Sequence, residues 1–131
     1  MGAFSKMAID PKLPILVVDD YSSMLRIMRT LLKQIGFTNV DEALNGSEAL
    51  SKLRDNTYAL VISDWNMEPM TGLELLREIR GEEKTKDIPF IMVTAESKTE
   101  RVIEAKQAGV DNYIVKPFNA ATLRAKITAL G

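Results

Sequence analysis

Five polar side chains in this sequence each follow a short apolar run of the kind that forms a buried strand. They are three aspartates, a threonine and a lysine: Asp19, Asp20, Asp64, Thr94 and Lys116. Any one of them could simply begin a turn or cap a helix, which Asp in particular often does. Because all of them stand where a strand would end, we expect them to meet at one edge of a sheet.

Three carboxylates brought together in this way would repel one another. Two of them about 4 Å apart repel by roughly 4 kcal/mol at an effective dielectric constant of about 20. A divalent cation would remove that repulsion, and so would a proton kept on one carboxyl group with a raised pKa. The sequence contains no His and no Cys, so any metal ligands must be oxygen atoms, as Mg²⁺ prefers. Asp20 and Asp64 offer two such oxygens, and we expect Mg²⁺ there.

Asp64 is the carboxylate that we predict to accept a phosphoryl group, because it is the first charged residue after the apolar run LVI and Ser63, where a buried strand would emerge. A carboxylate that attacks phosphorus forms an acyl phosphate, and the entering group must be neutralised by a metal and an ammonium group. Lys116 would supply the ammonium group, and the Thr94 hydroxyl could donate a hydrogen bond to a phosphoryl oxygen. The chain has no histidine base and neither glycine-rich phosphate loop, GxxxxGK or GxGxxG, which disfavours nucleotide hydrolysis. A modifiable switch fits these residues better than a turnover enzyme.

Hydrophobic spacing predicts five strands that alternate with five helices. The strands are 14–18, 39–43, 60–64, 89–94 and 112–115; the helices follow Ser22, Asn45, Gly72 and Asn119, with the fourth of the five at 99–108. Ser22 and Asn119 are the expected N-caps of the first and last helices, and 82–87 is expected to be a solvated loop. Such alternation predicts a doubly wound α/β domain, a parallel sheet with helices on both faces. Ligands of such sheets bind at the carboxyl ends of the strands.

Length and composition limit what the chain can be. Its 131 residues suffice for one domain, which we place at 13–131 after a flexible lead-in at 1–12. The net charge is −1, with lysines scattered among acids, so no basic face is available for a nucleic acid. No apolar run approaches the ~20 residues of a membrane span, and the start lacks the apolar core of a signal peptide. We therefore expect a cytoplasmic monomer that binds neither nucleic acid nor membrane.

Four motifs occur in the order and at the intervals of a known family: LVVDD at 16–20, SDWNM at 63–67, MVTAE at 92–96 and YIVKPF at 113–118. With them the chain resembles the receiver domains of two-component response regulators, and more narrowly the single-domain chemotaxis (CheY-like) regulators. The resemblance covers about residues 13–130 and implies a flavodoxin-like sheet in the strand order 2-1-3-4-5. It also implies a phosphoprotein rather than an enzyme, one that promotes its own phosphoryl transfer and dephosphorylation.

The resemblance assigns a role to each acid of the cluster. It makes Asp64 the phosphorylated residue and places Asp19 and Asp20 in an acidic pocket. The implied ligands of Mg²⁺ are Asp20, Asp64 and the backbone carbonyl of Asn66, with Asp19 acting through a water.

The same resemblance describes how the site would work as a switch. Lys116 would contact the phosphoryl group, and its peptide bond to the following proline would be cis, an isomer that only proline reaches cheaply. Thr94 would move toward the phosphoryl oxygens, and Tyr113 would turn inward into the space that Thr94 leaves. Asn66 and Glu96 match the positions that set how fast the acyl phosphate hydrolyses.

One departure from the family concerns the loop after the acceptor. The family usually has a proline directly after the methionine of this loop, whereas here Glu68 follows Met67 and Pro69 comes next. An additional acid then lies near the expected metal, which bears on metal affinity and on the rate of dephosphorylation. Trp65, in the same loop, is expected to pack there, and it could report metal binding by its fluorescence.

The expected output is a surface on the fourth helix, fifth strand and fifth helix, with Val102, Tyr113 and Lys126 as candidate contacts. Through it the phosphorylated chain would bind a flagellar motor switch protein, with a chemotaxis histidine kinase as phosphodonor. A second interpretation is a phosphate sink or phosphorelay intermediate that binds no motor. A third is a metal-dependent aspartyl phosphohydrolase, but such enzymes typically need a second acid two residues after the nucleophile, where this chain has Asn66.

Overall fold

Five strands and five helices alternate along the chain in the computed structural model, which describes residues 12–95 and 98–130. The strands are β1 (Ile15–Val18), β2 (Val40–Ala43), β3 (Leu60–Asp64), β4 (Phe90–Thr94) and β5 (Asn112–Val115). The helices are α1 (Ser22–Gln34), α2 (Gly46–Asp55), α3 (Gly72–Gly81), α4 (Thr99–Gln107) and α5 (Ala120–Thr128). The predicted elements are confirmed, with small shifts at their ends. Of the expected lead-in, only Lys12 lies among the described residues.

The strands form one parallel sheet in the order β2-β1-β3-β4-β5. This confirms the doubly wound α/β fold and the strand order that the family resemblance implied. Strands β1 and β3 are neighbours near the middle, and their register pairs Val18 with Ser63. The residues that follow, Asp19 and Asp64, therefore leave the sheet at the same edge.

Side chains of the strands alternate between two hydrophobic cores, one on each face of the sheet. Ile15 and Val17 of β1 belong to the first core, which also contains residues of α1 and α5: Leu25, Met28, Leu32, Leu123 and Ile127. Leu16 and Val18 belong to the second core, with residues of α2, α3 and α4: Ala49, Leu53, Leu73, Leu76, Ile79 and Ala105. In the described part of the chain, no helix combines the length and apolar character needed to cross a bilayer.

The start of α1 differs from the prediction. Asn119 caps α5 as expected, because its side chain accepts the N–H of Thr122 at 2.9 Å in the manner of a helix N-cap. Ser22, however, is the first residue of α1 rather than its cap, and Tyr21 occupies the N-cap without a side-chain hydrogen bond. Asp19 Oδ1 accepts the Tyr21 N–H at 3.0 Å. The turn into α1 is therefore stabilised by an acid of the cluster and not by a capping hydroxyl.

The loop at 82–87 is less solvated than predicted. Thr85 is buried, and its hydroxyl donates to the Ile79 carbonyl at 2.7 Å. That carbonyl lies in the last turn of α3, where carbonyl groups lack partners within the helix. Thr85 thus closes the end of α3, while the charged residues around it, Glu83, Lys84, Lys86 and Asp87, are exposed as expected.

Candidate functional site

Three aspartates cluster at the carboxyl edge of the sheet. Asp64 is the last residue of β3, and Asp19 and Asp20 directly follow β1, its neighbour. One carboxylate oxygen from each of the three lies within 4.8 Å of the others. Asp19 and Asp64 are buried and Asp20 is exposed, so the cluster opens to solvent on the side of Asp20.

Lys116 also contacts this cluster, although β4 separates its strand, β5, from β3. It follows β5, and its backbone N–H donates to the Thr94 carbonyl at 2.7 Å. Its Nζ lies 2.9 Å from Asp64 Oδ1, and the two side chains are 27% and 5% exposed. The ammonium group therefore compensates a carboxylate that has lost most of its hydration. Apart from this ion pair, Asp64 Oδ1 is buried and accepts no hydrogen bond from the described residues.

The pKa of Asp19 reflects its burial first and the neighbouring acids second. Burial raises this pKa from the ordinary 3.8 to about 6, and the charges of Asp64 and Asp20 act in the same direction. The hydrogen bond from the Tyr21 N–H and the charge of Lys116 oppose the rise. A proton and a cation therefore compete for this cluster, since either one relieves the same repulsion.

Thr94 and Tyr113 lie on the same face of the sheet, on neighbouring strands. Thr94 is the buried last residue of β4. Strands β4 and β5 pair Met92 with Tyr113 and Thr94 with Val115. Because side chains alternate along each strand, Tyr113 projects to the same side as Thr94 from a position two residues earlier. It is half-buried and packs against the second core.

An open cleft of about 640 Å³ lies in front of the acids. Its lining comes from the loops after β1, β3 and β5: Asp20, Tyr21, Asp64, Asn66, Met67, Glu68, Thr71 and Lys116. Glu68 is exposed, so it adds a third carboxylate, after Asp20 and Asp64, to the lining of the cleft. The peptide bonds before Pro69 and Pro117 are both cis; the second was predicted and the first was not.

The family model for the response regulator receiver domain matches residues 15–128 of the chain. The chain belongs to this family. Two of its relatives are chemotaxis proteins. CheY-3 of Vibrio cholerae serotype O1 is 49% identical over 119 residues, which cover 91% of this chain and 92% of that protein. CheY of Pseudomonas aeruginosa is 50% identical over 113 residues, which cover 86% of this chain and 91% of that protein.

Solved receiver structures have the same fold as this receiver domain. The chemotaxis protein CheY4 of Vibrio cholerae superimposes with a TM-score of 0.84 at 34% identity, covering 90% of this chain and 98% of that chain. The receiver domain of the Francisella response regulator 1452 gives a TM-score of 0.80 at 30% identity, covering 89% and 94%. The likeness therefore extends over nearly the whole receiver domain.

The acidic cluster of this receiver domain suits a hard divalent cation. Its donors are carboxylate oxygens that lie within 4.8 Å of one another, and Mg²⁺ prefers oxygen ligands. Apart from its ion pair with Lys116, Asp64 Oδ1 is buried and accepts no hydrogen bond from the described residues, so it has bonding capacity left for a ligand. Asp19, Asp20 and Asp64 are thus the side chains that could bind Mg²⁺, with Asn66 at the mouth of the same cleft.

The residues expected to form the output surface lie on three consecutive elements of the receiver domain. Val102 of α4, Tyr113 of β5 and Lys126 of α5 are all half-buried. Asn112 connects the last two, since its Nδ2 donates to the Lys126 carbonyl at 2.9 Å and its Oδ1 accepts the Tyr113 N–H at 2.8 Å. These two hydrogen bonds therefore join α5 to β5 beside Tyr113 and Lys126, two of the expected contact residues. Glu96, expected to influence hydrolysis, lies outside the described residues.

Two contacts beside Asp64 were not foreseen. Gly72, expected only to begin a helix, has no room for a side chain, because a Cβ there would lie 2.2 Å from the Asp64 carbonyl oxygen. Trp65 packs in its loop as expected and is 5% exposed, but the Arg101 guanidinium also lies over its ring, 4.7 Å from the centroid. The sequence gives no signal for this pair, because any arginine can form a cation–π contact with any aromatic residue that lies near it in the fold. Only the packing of α4 shows which two residues meet.

Proposed function

We propose that this receiver domain is a single-domain response regulator that accepts a phosphoryl group on Asp64. The observation that carries the proposal is the ion pair between Lys116 Nζ and Asp64 Oδ1, at 2.9 Å, inside a group of three carboxylates. Asp64 combines burial, a place at the end of a central strand and an ammonium contact. Asp19 and Asp20 surround it with the charge that a cation would compensate.

The proposed reaction transfers a phosphoryl group from a phosphohistidine of a kinase to the Asp64 carboxylate. A carboxylate oxygen attacks phosphorus, so the new O–P bond makes an acyl phosphate while the bond from phosphorus to the imidazole nitrogen breaks. That nitrogen retains the bonding electron pair and takes up a proton. The Lys116 ammonium group would offset charge on the phosphoryl oxygens, and the Thr94 hydroxyl would donate a hydrogen bond to one of them.

We assign the metal ligands from the same group of residues. Asp20, Asp64 and the backbone carbonyl of Asn66 would bind Mg²⁺, with Asp19 acting through a water. When bound, the ion would supply positive charge against the carboxylates and the phosphoryl oxygens. Asn66, exposed at the cleft, and Glu96 would set how readily water reaches the acyl phosphate.

The output would follow from charge added at a buried site. Phosphorylation replaces the single negative charge of the Asp64 carboxylate by a phosphoryl group that carries about 1.5 to 2 negative charges. Thr94 would turn toward them, and Tyr113, on the same face of the sheet, would take the space that Thr94 leaves. The surface of α4, β5 and α5 that includes Val102, Tyr113 and Lys126 would change as a result. Because similar proteins are chemotaxis proteins, we propose a chemotaxis histidine kinase as phosphodonor and a flagellar motor switch protein as target.

Intact mass measurement after incubation with acetyl phosphate and Mg²⁺ tests the proposal. The wild-type chain should gain the mass of one phosphoryl group, and Asp64→Asn should gain none because the attacking carboxylate is absent. Asp55→Asn, which removes an exposed carboxylate at the end of α2, should behave as the wild type does. Omission of Mg²⁺ should also prevent the gain. A wild-type chain that gains no mass would contradict the proposal.

A further inference from the structure

Trp65, the residue directly after Asp64, is constrained through its backbone and its ring. Its N–H donates to the Val93 carbonyl at 2.9 Å, and its carbonyl accepts the N–H groups of Met67 at 3.1 Å and Gly72 at 2.9 Å. Its side chain is 5% exposed and belongs to the second core. The position of the indole ring therefore follows closely from the position of the end of β3.

Arg101 lies over this ring from the neighbouring helix. Its guanidinium carbon is 4.7 Å from the ring centroid, and its Nη1 is inaccessible to solvent. A guanidinium that has lost part of its hydration interacts more strongly with an aromatic face than an exposed one does. Helix α4 has one buried residue, Ala105. The contact of Arg101 with Trp65 therefore contributes to the position of the first half of α4, which has no buried residue of its own.

This contact lies between the proposed phosphorylation site and the proposed output surface. Trp65 follows Asp64 along the chain, and Arg101 precedes Val102. A phosphoryl group on Asp64 would place new negative charge next to Trp65. Arginine binds phosphoryl oxygens strongly, so that charge would compete with the indole ring for the guanidinium.

We infer that Arg101 is a positioning residue that acts through Trp65. In the unmodified protein, the stack packs the first half of α4 against the acceptor loop, residues 65–71 between β3 and α3. Phosphorylation of Asp64 weakens this stack. The exposed helix then becomes freer to adopt the arrangement that a target would bind. This inference rests on the proposed function, since it requires a phosphoryl group on Asp64.

Hydrogen exchange of the α4 amides, measured with and without acetyl phosphate and Mg²⁺, tests the inference. In the unmodified protein, Arg101→Ala should lower the protection of these amides about two- to thirtyfold, the range expected for such a contact. Phosphorylation should then change them little further, whereas wild-type α4 should lose protection only when phosphorylated. Lys106→Ala, which removes an exposed cation from the last turn of the same helix, should respond as the wild type does.

The emission of Trp65, the only tryptophan in the chain, gives a readout that a merely structural role would not change. Phosphorylation should alter it in the wild type. Arg101→Ala should shift the emission beforehand and reduce the response, and Arg101→Lys should restore part of that response because it retains a cation.

Intact mass on the same samples separates the two proposals. If the wild type gains no phosphoryl group, the proposed function is wrong and the inference fails with it. If all variants gain the group while Arg101→Ala retains the wild-type exchange and emission responses, only the inference is overturned. An equal loss of protection in β3 and α4 of Arg101→Ala would show general destabilisation, which would also overturn it.

Discussion

Asp64 is constrained on three sides. Strand β3 brings it to the sheet edge, Lys116 contacts its carboxylate at 2.9 Å, and Gly72 lies against its backbone carbonyl. The Gly72 N–H also donates to the Trp65 carbonyl at 2.9 Å, so the acceptor loop turns back onto the end of the strand. The acceptor geometry therefore depends on a glycine that has no chemical role.

We expect Gly72→Ala to impair both stability and phosphorylation. The added methyl group would lie 2.2 Å from the Asp64 carbonyl oxygen and 2.9 Å from Trp65 Cα, which forces backbone to move. Overpacking of this kind costs about 1–3 kcal/mol of unfolding free energy, measurable by urea denaturation. The rate of phosphorylation by acetyl phosphate should fall as well, because Asp64 shifts.

Gly81→Ala is the matched control for this variant. Gly81 ends the same helix, and no heavy atom lies within 4 Å of a Cβ placed there. That variant should be unchanged or more stable by about 0.4–1 kcal/mol, since alanine restricts the unfolded chain. Equal stability and equal phosphorylation rates for the two variants would contradict the close contact at Gly72.

The raised pKa of Asp19 predicts a pH dependence of stability in the metal-free protein. The folded chain binds this proton with a pKa of about 6, against 3.8 for an ordinary aspartate. Between these values the folded state binds more protons than the unfolded state, so stability falls as pH rises from about 4 to about 6. Asp19→Asn should therefore stabilise the protein above pH 6 by at most about 3 kcal/mol and have little effect near pH 4.

Urea denaturation in the presence of a chelator, at several pH values, measures this difference. Asp87→Asn, which changes an exposed aspartate of the 82–87 loop, is the control and should leave the pH profile as it is in the wild type. If Asp19→Asn and the wild type show the same dependence of stability on pH, the pKa of Asp19 is not raised in the folded protein.

Arg80 joins three segments at the sheet edge opposite the acids. Its guanidinium donates from the end of α3 to three carbonyl groups and one carboxylate, those of Lys86, Ile88, Gly109 and Asp111. Asp111 in turn accepts the N–H of Phe90 at 2.8 Å, where β4 begins. One side chain thus connects α3, the start of β4 and the segment between α4 and β5.

We expect Arg80→Ala to lower the unfolding free energy by about 2 kcal/mol, because several charge-assisted hydrogen bonds are lost together. Arg80→Lys should not restore stability, since one ammonium group lacks the planar set of donors. Arg77→Ala, at an exposed position of the same helix, should stay within about 0.5 kcal/mol of the wild type. Denaturation curves test this, and a wild-type midpoint for Arg80→Ala would contradict the role.

Elements were predictable where their signals are local. The run LVI at 60–62 is short and apolar, and Asn119 caps α5 with a side chain three residues from its partner. The start of α1 was missed although its signal is also local: the Asp19 side chain accepts the N–H of Tyr21, two residues on, and Ser22 was taken as the cap instead. Thr85 was also missed, since a hydroxyl in a charged loop gives no sign that it will reach the end of α3.

The parallel sheet brings the ends of separate strands together into one site. The sequence predicted that Asp19, Asp20, Asp64, Thr94 and Lys116 would meet, because carboxyl ends of parallel strands share an edge. The sequence did not predict that the Lys116 side chain reaches Asp64 past β4, the strand that separates β5 from β3. It also did not predict the stack of Arg101 on Trp65. Both contacts depend on side-chain reach between elements far apart in the chain.

The most direct test is to locate the phosphoryl group after transfer. Borohydride reduces an aspartyl phosphate to homoserine, and mass spectrometry of peptides from the wild-type chain, treated with acetyl phosphate and Mg²⁺, identifies the reduced residue. We predict homoserine at position 64 and at no other aspartate. Homoserine at Asp19 or Asp20, or none at all in a chain that has gained phosphoryl mass, would contradict Asp64 as the acceptor.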